Sequence, residues 1–212
     1  HSLRTGITFI DLFDKIEIKK SDETKIKYQG FFKPKNNKYS DCIILKTLKF
    51  LDLDDNLHFN ITVTKNIPVQ GGLGSASTNA AGLIKGLNDM NYICQKEPSA
   101  YVSIGSDIPS FLFAKNCIIT GKGEKISPTF FPKLYFLLIK PDFNNSTKEM
   151  YEKLNIKNNY ENSDDTGNDF EKLLLKENLY FNEIFSYLKI VDNTLFTRMT
   201  GTGSCFYAAF EK

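Results

Sequence analysis

The chain has 212 residues, 41% of them hydrophobic, which suffices for one large domain or two small ones and excludes wholesale disorder. Its 27 lysines and arginines against 25 aspartates and glutamates leave a net charge of +2, no electrostatic ground for a nucleic-acid or membrane partner. Four cysteines without a C-x-x-C pair and only two histidines exclude a well-supplied zinc site, and the cysteines read as free thiols of a reducing compartment.

No run approaches the roughly 18 apolar residues of a spanning helix, and no signal peptide is visible. The start at His1 reads as a fragment, a processed form or a trimmed chain. Residues 7–18 form a strand-rich entry, and 33–40 a polar loop. Asp41 is placed to cap a helix with Ile44, Leu45, Leu48 and Leu51 on one face. Residues 57–64 alternate, with Leu57, Phe59, Ile61 and Val63 on one side and His58, Asn60, Thr62 and Thr64 on the other. That pattern predicts a half-buried strand with His58 solvated. A loop over 65–74 leads into a small-residue helix over 75–90, whose apolar face carries Ala80, Ala81, Leu83, Ile84 and Leu87.

Further on, 111–120 reads as a strand, 121–124 as a turn, and the apolar run 135–139 as a buried strand. Ser146 with Glu149, and again Asn168 with Glu171, have capping-box spacing and open two helices. Residues 155–167 between them are polar. Another helix is expected around 181–188, then strand, glycine turn and strand over 196–210. A composition shift near 127–132 marks a boundary between domains 1–130 and 131–212.

Four segments carry chemistry. In I-P-V-Q-G-G-L-G-S-A-S-T-N-A-A (67–81), Gly71, Gly72 and Gly74 let the backbone turn and approach a ligand, with Leu73 between them. Ser75, Ala76, Ser77 and Thr78 then open a helix whose unpaired N–H groups suit phosphate, and hydroxyls at Ser75, Ser77 and Thr78 add donors or help hold Mg2+. The run matches neither G-K-S/T nor G-x-G-x-x-G; a glycine-rich connection before a packed helix is the structural alternative. I-G-S-D-I-P (104–109) holds Asp107, by itself equally a turn or cap aspartate. In P-D-F-N-N-S-T-K-E-M-Y (141–151), Thr147 and Tyr151 share a helix face and Phe143 offers a ring to stack on a base; a capped surface helix with Tyr151 packed inward also fits. M-T-G-T-G-S (199–204) is a tight glycine turn, equally an ordinary hairpin turn.

The first of these runs resembles P-x-x-x-G-L-G-S-S of the GHMP kinase superfamily. Asn79, Ala80 and Ala81 after it are similar to G-G-G-L-G-G-G-S-S-N/D-A-A of the diphosphocytidyl-methylerythritol kinase family, Ser75 and Ala76 replacing two glycines. M-T-G-T-G-S is similar to that family's M-S-G-S-G-S, G-K-G-E (121–124) to its G-x-G-E, and N-D-F-E (168–171) to its N-D-L-E. His1, ahead of I-D-L-F-D (10–14), resembles the histidine of G-Y-H. The motifs occur in family order from His1 to Lys212. The family's first strand with its catalytic lysine, and the tyrosine before that histidine, have no counterpart here, and 91–104 is short for the family's helix.

The resemblance implies an α+β, two-lobed GHMP kinase fold, with an N-terminal ATP-binding lobe and a C-terminal ferredoxin-like substrate lobe. It implies ATP and Mg2+ as cofactors, ATP lying on Gly71, Gly72, Leu73, Gly74, Ser75, Ala76, Ser77 and Thr78, with the metal's ligands left open. Asp107 would be the catalytic carboxylate, taking a proton from an alcohol that is otherwise a poor nucleophile. The substrate would be a small-molecule cytidine-diphosphate sugar alcohol of isoprenoid synthesis, held by His1, Phe143, Thr147, Tyr151, Gly201 and Gly203. Homoserine- or mevalonate-type kinases, or an inactive GHMP ligand-binding homologue, are the alternatives. The Lys-, Asn- and Phe-rich usage suits an AT-rich genome, hence a plastid (apicoplast) stroma or a bacterial cytoplasm; the oligomeric state is left open.

Overall fold

The chain opens with three short strands, β1 (Leu3–Ile7), β2 (Lys15–Ser21) and β3 (Lys25–Gln29), in the computed structural model, which describes residues 3–34, 42–156 and 167–211. Asp41 lies outside the described residues. Helix α1 (Ile43–Leu51) starts at Cys42, whose Sγ accepts the Leu45 N–H at 3.4 Å, and stops at Asp52 in the left-handed region. Strand β4 (His58–Thr64) alternates as expected: Phe59, Ile61 and Val63 are buried, and His58 sits beside Thr24 Oγ1 at 3.4 Å. It is the centre of a sheet in which β2 runs antiparallel and β3 parallel to it, so that Ile18 and Ile26 both pair with Ile61.

Helix α2 (Ser75–Asp89) lays Leu83 and Leu87 against that sheet's apolar face and Ala80 and Ile84 against a second cluster around Tyr101 and Ile108. After a 3-10 turn at Pro98–Tyr101 comes α3 (Ile108–Phe113), then β5 (Cys117–Gly121) and β6 (Lys125–Pro128), which with β1 make a second antiparallel sheet. This corrects the strand expected over 111–120. Pro109 near the helix start favours α geometry, α3 runs through Phe113, and the chain turns at Ala114 before the strand begins.

Strand β7 (Tyr135–Ile139) is followed by α4 (Thr147–Ile156), α5 (Asp169–Glu177), α6 (Leu179–Lys189), β8 (Thr194–Met199) and β9 (Phe206–Phe210). The three strands form an antiparallel sheet with β9 in the middle. Phe181 and Phe206, their ring centroids 3.7 Å apart, centre a core with Phe185, Leu188 and Met199. β7 is less buried than its apolar run suggests: Tyr135 and Leu137 are 48% and 45% exposed. Among the described residues it has a sheet neighbour on one side only.

The elements make an α+β fold with three small sheets among the described residues, in two compact units. The first comprises the chain to Val69 and Gly74–Phe131; the second comprises Gln70–Leu73 and the chain from Pro132. No described helix is long and apolar enough to cross a membrane.

Candidate active site

In the first unit the phosphate-loop candidate begins at Gly74, which caps α2 with φ 69° and offers no side-chain hydrogen bond. Helix geometry leaves the N–H groups of the first turn without intrahelical partners and gathers partial positive charge there. A Cβ on Gly74 would lie 2.4 Å from the Phe111 ring. Phe111, itself edge-on to Phe9 at 5.9 Å, therefore fills the space that a glycine here was expected to leave for a ligand.

Two of the three hydroxyls in this turn are already engaged. Ser75 is buried, accepts a hydrogen bond from Lys65 Nζ, and donates to Asp14 Oδ2 at 3.2 Å; Lys65 and Asp14 also form an ion pair. Thr78 Oγ1 donates to the Ser75 carbonyl at 2.9 Å. Ser77 is half-buried, and Ala76 is exposed at the tip of the turn. Burial pushes the Lys65 ammonium below its usual pKa, opposed by its hydrogen bond to Asp14 and by that carboxylate's charge.

Asp107 stands at the head of α3, half-buried. Desolvation raises its pKa, and the hydrogen bond from Ser106 Oγ at 3.3 Å opposes the rise. The turn that carries it packs beside α2, for a Cβ built on Gly105 would sit 3.6 Å from Ser77 Oγ. From behind, the Gly123 turn presses on it so closely that a Cβ there would come within 2.1 Å of the Ser106 carbonyl oxygen. The first unit thus brings together a half-buried carboxylate of raised pKa and a helix N-terminus.

In the second unit Gln70–Leu73 pairs with the glycine turn between β8 and β9. Cys205 N–H donates to the Gly71 carbonyl at 3.0 Å, Ser204 N–H to that of Gln70 at 3.4 Å, and Thr200 Oγ1 to that of Gly72 at 2.6 Å. Asn145 Nδ2 donates to the Thr202 carbonyl at 3.1 Å, and the hydroxyls of Thr147 and Thr202 are 3.1 Å apart. Asn168 accepts the Phe170 N–H to cap α5 and donates from Nδ2 to the carbonyls of Met199 and Gly201, at 2.9 and 2.8 Å. Thr147, Gly201 and Gly203 therefore share one neighbourhood with Gly71, Gly72 and Leu73. The Phe143 ring is tilted against Phe181 at 5.6 Å and the Tyr151 ring is edge-on to Phe170 at 4.9 Å, both half-buried. His1 lies outside the described residues.

The sequence left Asp14, Lys65, Asn145 and Phe111 without roles. Asp14 closes I-D-L-F-D and Lys65 directly follows the alternating strand, a signal that a charged side chain borders the glycine loop. Asn145 and Phe111 carry no such mark. Among the described residues no group of three or more His, Cys, Asp or Glu side chains is placed to hold a metal ion.

Residues 42–113 match the family model of the GHMP kinases N terminal domain. A 4-diphosphocytidyl-2-C-methyl-D-erythritol kinase of Francisella tularensis subsp. holarctica is 33% identical over 222 residues, spanning 98% of this chain and 78% of the relative. The enzyme of that name from Pelagibacter ubique is 34% identical over 233 residues, spanning 100% of this chain and 82% of the relative. A crystal structure of a 4-(cytidine 5'-diphospho)-2C-methyl-D-erythritol kinase superposes with a TM-score of 0.80 at 18% identity over 98% of this chain and 81% of that one, which shows the fold.

Proposed function

Since the chain belongs to the 4-diphosphocytidyl-2-C-methyl-D-erythritol kinase family of GHMP small-molecule kinases, it catalyses ATP-dependent phosphorylation of a hydroxyl of that cytidine-diphosphate sugar alcohol, and we propose how its residues divide the work. The reaction belongs to the non-mevalonate route to isoprenoid precursors. The N–H groups at the start of α2, from Ser75 to Ser77, receive the terminal phosphates of ATP, with the backbone of Gly71, Gly72, Leu73 and Gly74 leading into them; the Thr78 N–H already donates to the Gly74 carbonyl at 2.9 Å and closes the first helical turn behind them. Asp107 takes the proton of the attacking hydroxyl as its bond to phosphorus forms.

The observation that supports this division is that the turn leading to Asp107 lies beside the first turn of α2, where a Cβ built on Gly105 would fall 3.6 Å from Ser77 Oγ. The burial of Asp107 supports the role as well. A carboxylate in water is too weak a base to take an alcohol's proton readily, and desolvation moves its pKa in the useful direction. Phosphoryl transfer otherwise needs chiefly positioning and neutralisation of charge. Mg2+ would supply part of that neutralisation. Phosphate oxygens furnish most of its ligands in such sites, and the half-buried Ser77 hydroxyl would be an oxygen donor that the first unit adds.

For the acceptor, the second unit offers the exposed Thr147, whose hydroxyl meets that of Thr202, and the exposed Gly201, with Gly203 buried behind them, while Phe143 and Tyr151 are half-exposed and available to a base. His1 offers one donor and one acceptor to a cytosine edge. The bacterial relatives support a bacterial cytoplasm over a plastid as the compartment.

The test is ATP-dependent product formation with four acceptors side by side: the cytidine-diphosphate sugar alcohol, methylerythritol phosphate, homoserine and mevalonate. Turnover of the first, with strong discrimination against methylerythritol phosphate, is expected because a site built for a polar base edge penalises an analogue that leaves it unpaired. Turnover of homoserine or mevalonate alone would move the chain to another GHMP branch. Nucleotide binding without any turnover would make it an inactive homologue.

A further inference from the structure

Asp14 and Lys65 are the most deeply buried ion pair among the described residues, their side chains 2% and 3% exposed, and the chemistry above uses neither. Taking two charges out of water is costly, and an apolar pair of similar size usually stabilises a fold as well or better. What an ion pair adds is direction, and here each direction is accounted for. Asp14 Oδ1 accepts the backbone N–H groups of Asn66 at 2.7 Å and Ile67 at 2.9 Å. Asp14 Oδ2 accepts from Lys65 Nζ and from Ser75 Oγ. Lys65 Nζ also donates to Ser75 Oγ, closing a three-membered network.

These contacts sit at the two ends of one loop. Asn66 and Ile67 lead into the glycine-rich segment, and Ser75 is the first residue of α2 on the far side. A single carboxylate therefore holds entry and exit together. Lys65 is itself fixed from outside: its N–H donates to the Gln29 carbonyl at 2.7 Å, and its carbonyl accepts from Phe32 N–H at 3.2 Å. Asp14 is reached separately, because Asn66 Nδ2 donates to the Phe13 carbonyl at 3.0 Å. The network ties the end of β4 and the segment before β2 to the first turn of α2.

We propose that Asp14, Lys65 and Ser75 are positioning residues that clamp both ends of the glycine loop and so set the aim of the first-turn N–H groups of α2 at the phosphates of ATP. This rests on the reading of α2 as the phosphate site. The Ser75 hydroxyl then acts through the clamp and touches no ligand.

The experiment uses the full chain with Ser75→Ala, Ser75→Thr, Asp14→Asn and the Ser75→Ala/Asp14→Asn pair. It measures the Kd of a non-hydrolysable ATP analogue, KM for ATP, kcat and Tm. Ser75→Ala and Asp14→Asn are each expected to weaken nucleotide binding about tenfold, since small displacements of a positioning group are magnified in this way. At saturating ATP, kcat should stay within about threefold. Because the residues act as one unit, the pair should bind within about twofold of the weaker single variant, and Ser75→Thr should restore affinity.

Wild-type affinity in Ser75→Ala would overturn the proposal. So would additive losses in the pair, which would make the hydroxyl a direct ligand contact. If Asp14→Asn does not fold, the contrast of Ser75→Ala with Ser75→Thr decides alone. Failure of the wild-type chain to bind the analogue would instead overturn the phosphate-site reading on which the clamp rests.

Discussion

A Cβ on Gly72 would stand 2.1 Å from the carbonyl oxygen of Thr200, and Thr200 Oγ1 in turn donates to the carbonyl of Gly72 at 2.6 Å. The two backbones meet with no room for a side chain, and Gly72 has φ +73° besides.

Gly72→Ala is therefore expected to cost at least about 2 kcal/mol, from the left-handed strain of an L side chain together with the displaced backbone. Denaturant unfolding measures it; a change below about 0.5 kcal/mol, the ordinary range of harmless surface substitutions, would show that the turn gives way.

Asp107→Asn separates activity from stability. Removing the proposed general base should lower turnover by about 10²-fold or more while ATP binding is kept. The folded pKa of Asp107 is raised, so its contribution to stability is present below the unfolded value of 3.8 and is lost as pH rises through the folded one. At pH 7 the carboxylate thus opposes folding, and Asp107→Asn should raise Tm there while reducing kcat. Wild-type turnover should fall as acid protonates Asp107, at a pH above that of a solvated aspartate. Turnover kept within a few-fold in Asp107→Asn would reduce Asp107 to a turn residue.

Thiol labelling should follow burial. Cys94 is exposed, whereas Cys117 and Cys205 are buried, and desolvation pushes the Cys205 thiol up to about 11. Burial also raises the Cys117 pKa. Iodoacetamide at pH 8 should modify Cys94 first and leave Cys117 and Cys205 intact until denaturant is added, as read by mass spectrometry. Rapid modification of Cys205 in the native protein would show that the turn before β9 opens.

Asn168→Ala removes the α5 cap and two hydrogen bonds to the glycine turn at once. A loss of about 1–2 kcal/mol is expected, near the upper end for a cap alone. Asn168→Asp keeps the cap but has no donor for the Met199 and Gly201 carbonyls, so it should recover only part of the loss. Full recovery would assign the whole effect to the cap.

What the sequence made legible was local. The alternation in 57–64 and the alanine-rich face of 75–90 repeat at the period of their element, so β4 and α2 appear within a residue or two of their expected bounds. The Asn168 cap was legible for the same reason. Glu171, three residues on, also accepts the Met199 N–H at 2.6 Å, a contact 28 residues away that no local spacing encodes. Phe111 was read as part of a strand since an aromatic beside apolar neighbours suits either element. Its service beneath Gly74 depends on a fold that no spacing encodes. The same holds for the clamp, where Asp14 and Lys65 lie 51 residues apart.

The chain enters the second unit twice, first for Gln70–Leu73 and then from Pro132 onward. Neither unit is a continuous length of polypeptide, so cutting between Phe131 and Pro132 does not yield two transferable modules. A fragment begun at Pro132 would leave the N–H groups of Ser204 and Cys205 and the hydroxyl of Thr200 without the acceptors that Gln70, Gly71 and Gly72 provide. Exchange of the second unit between related kinases should therefore succeed only when Gln70–Leu73 travel with it.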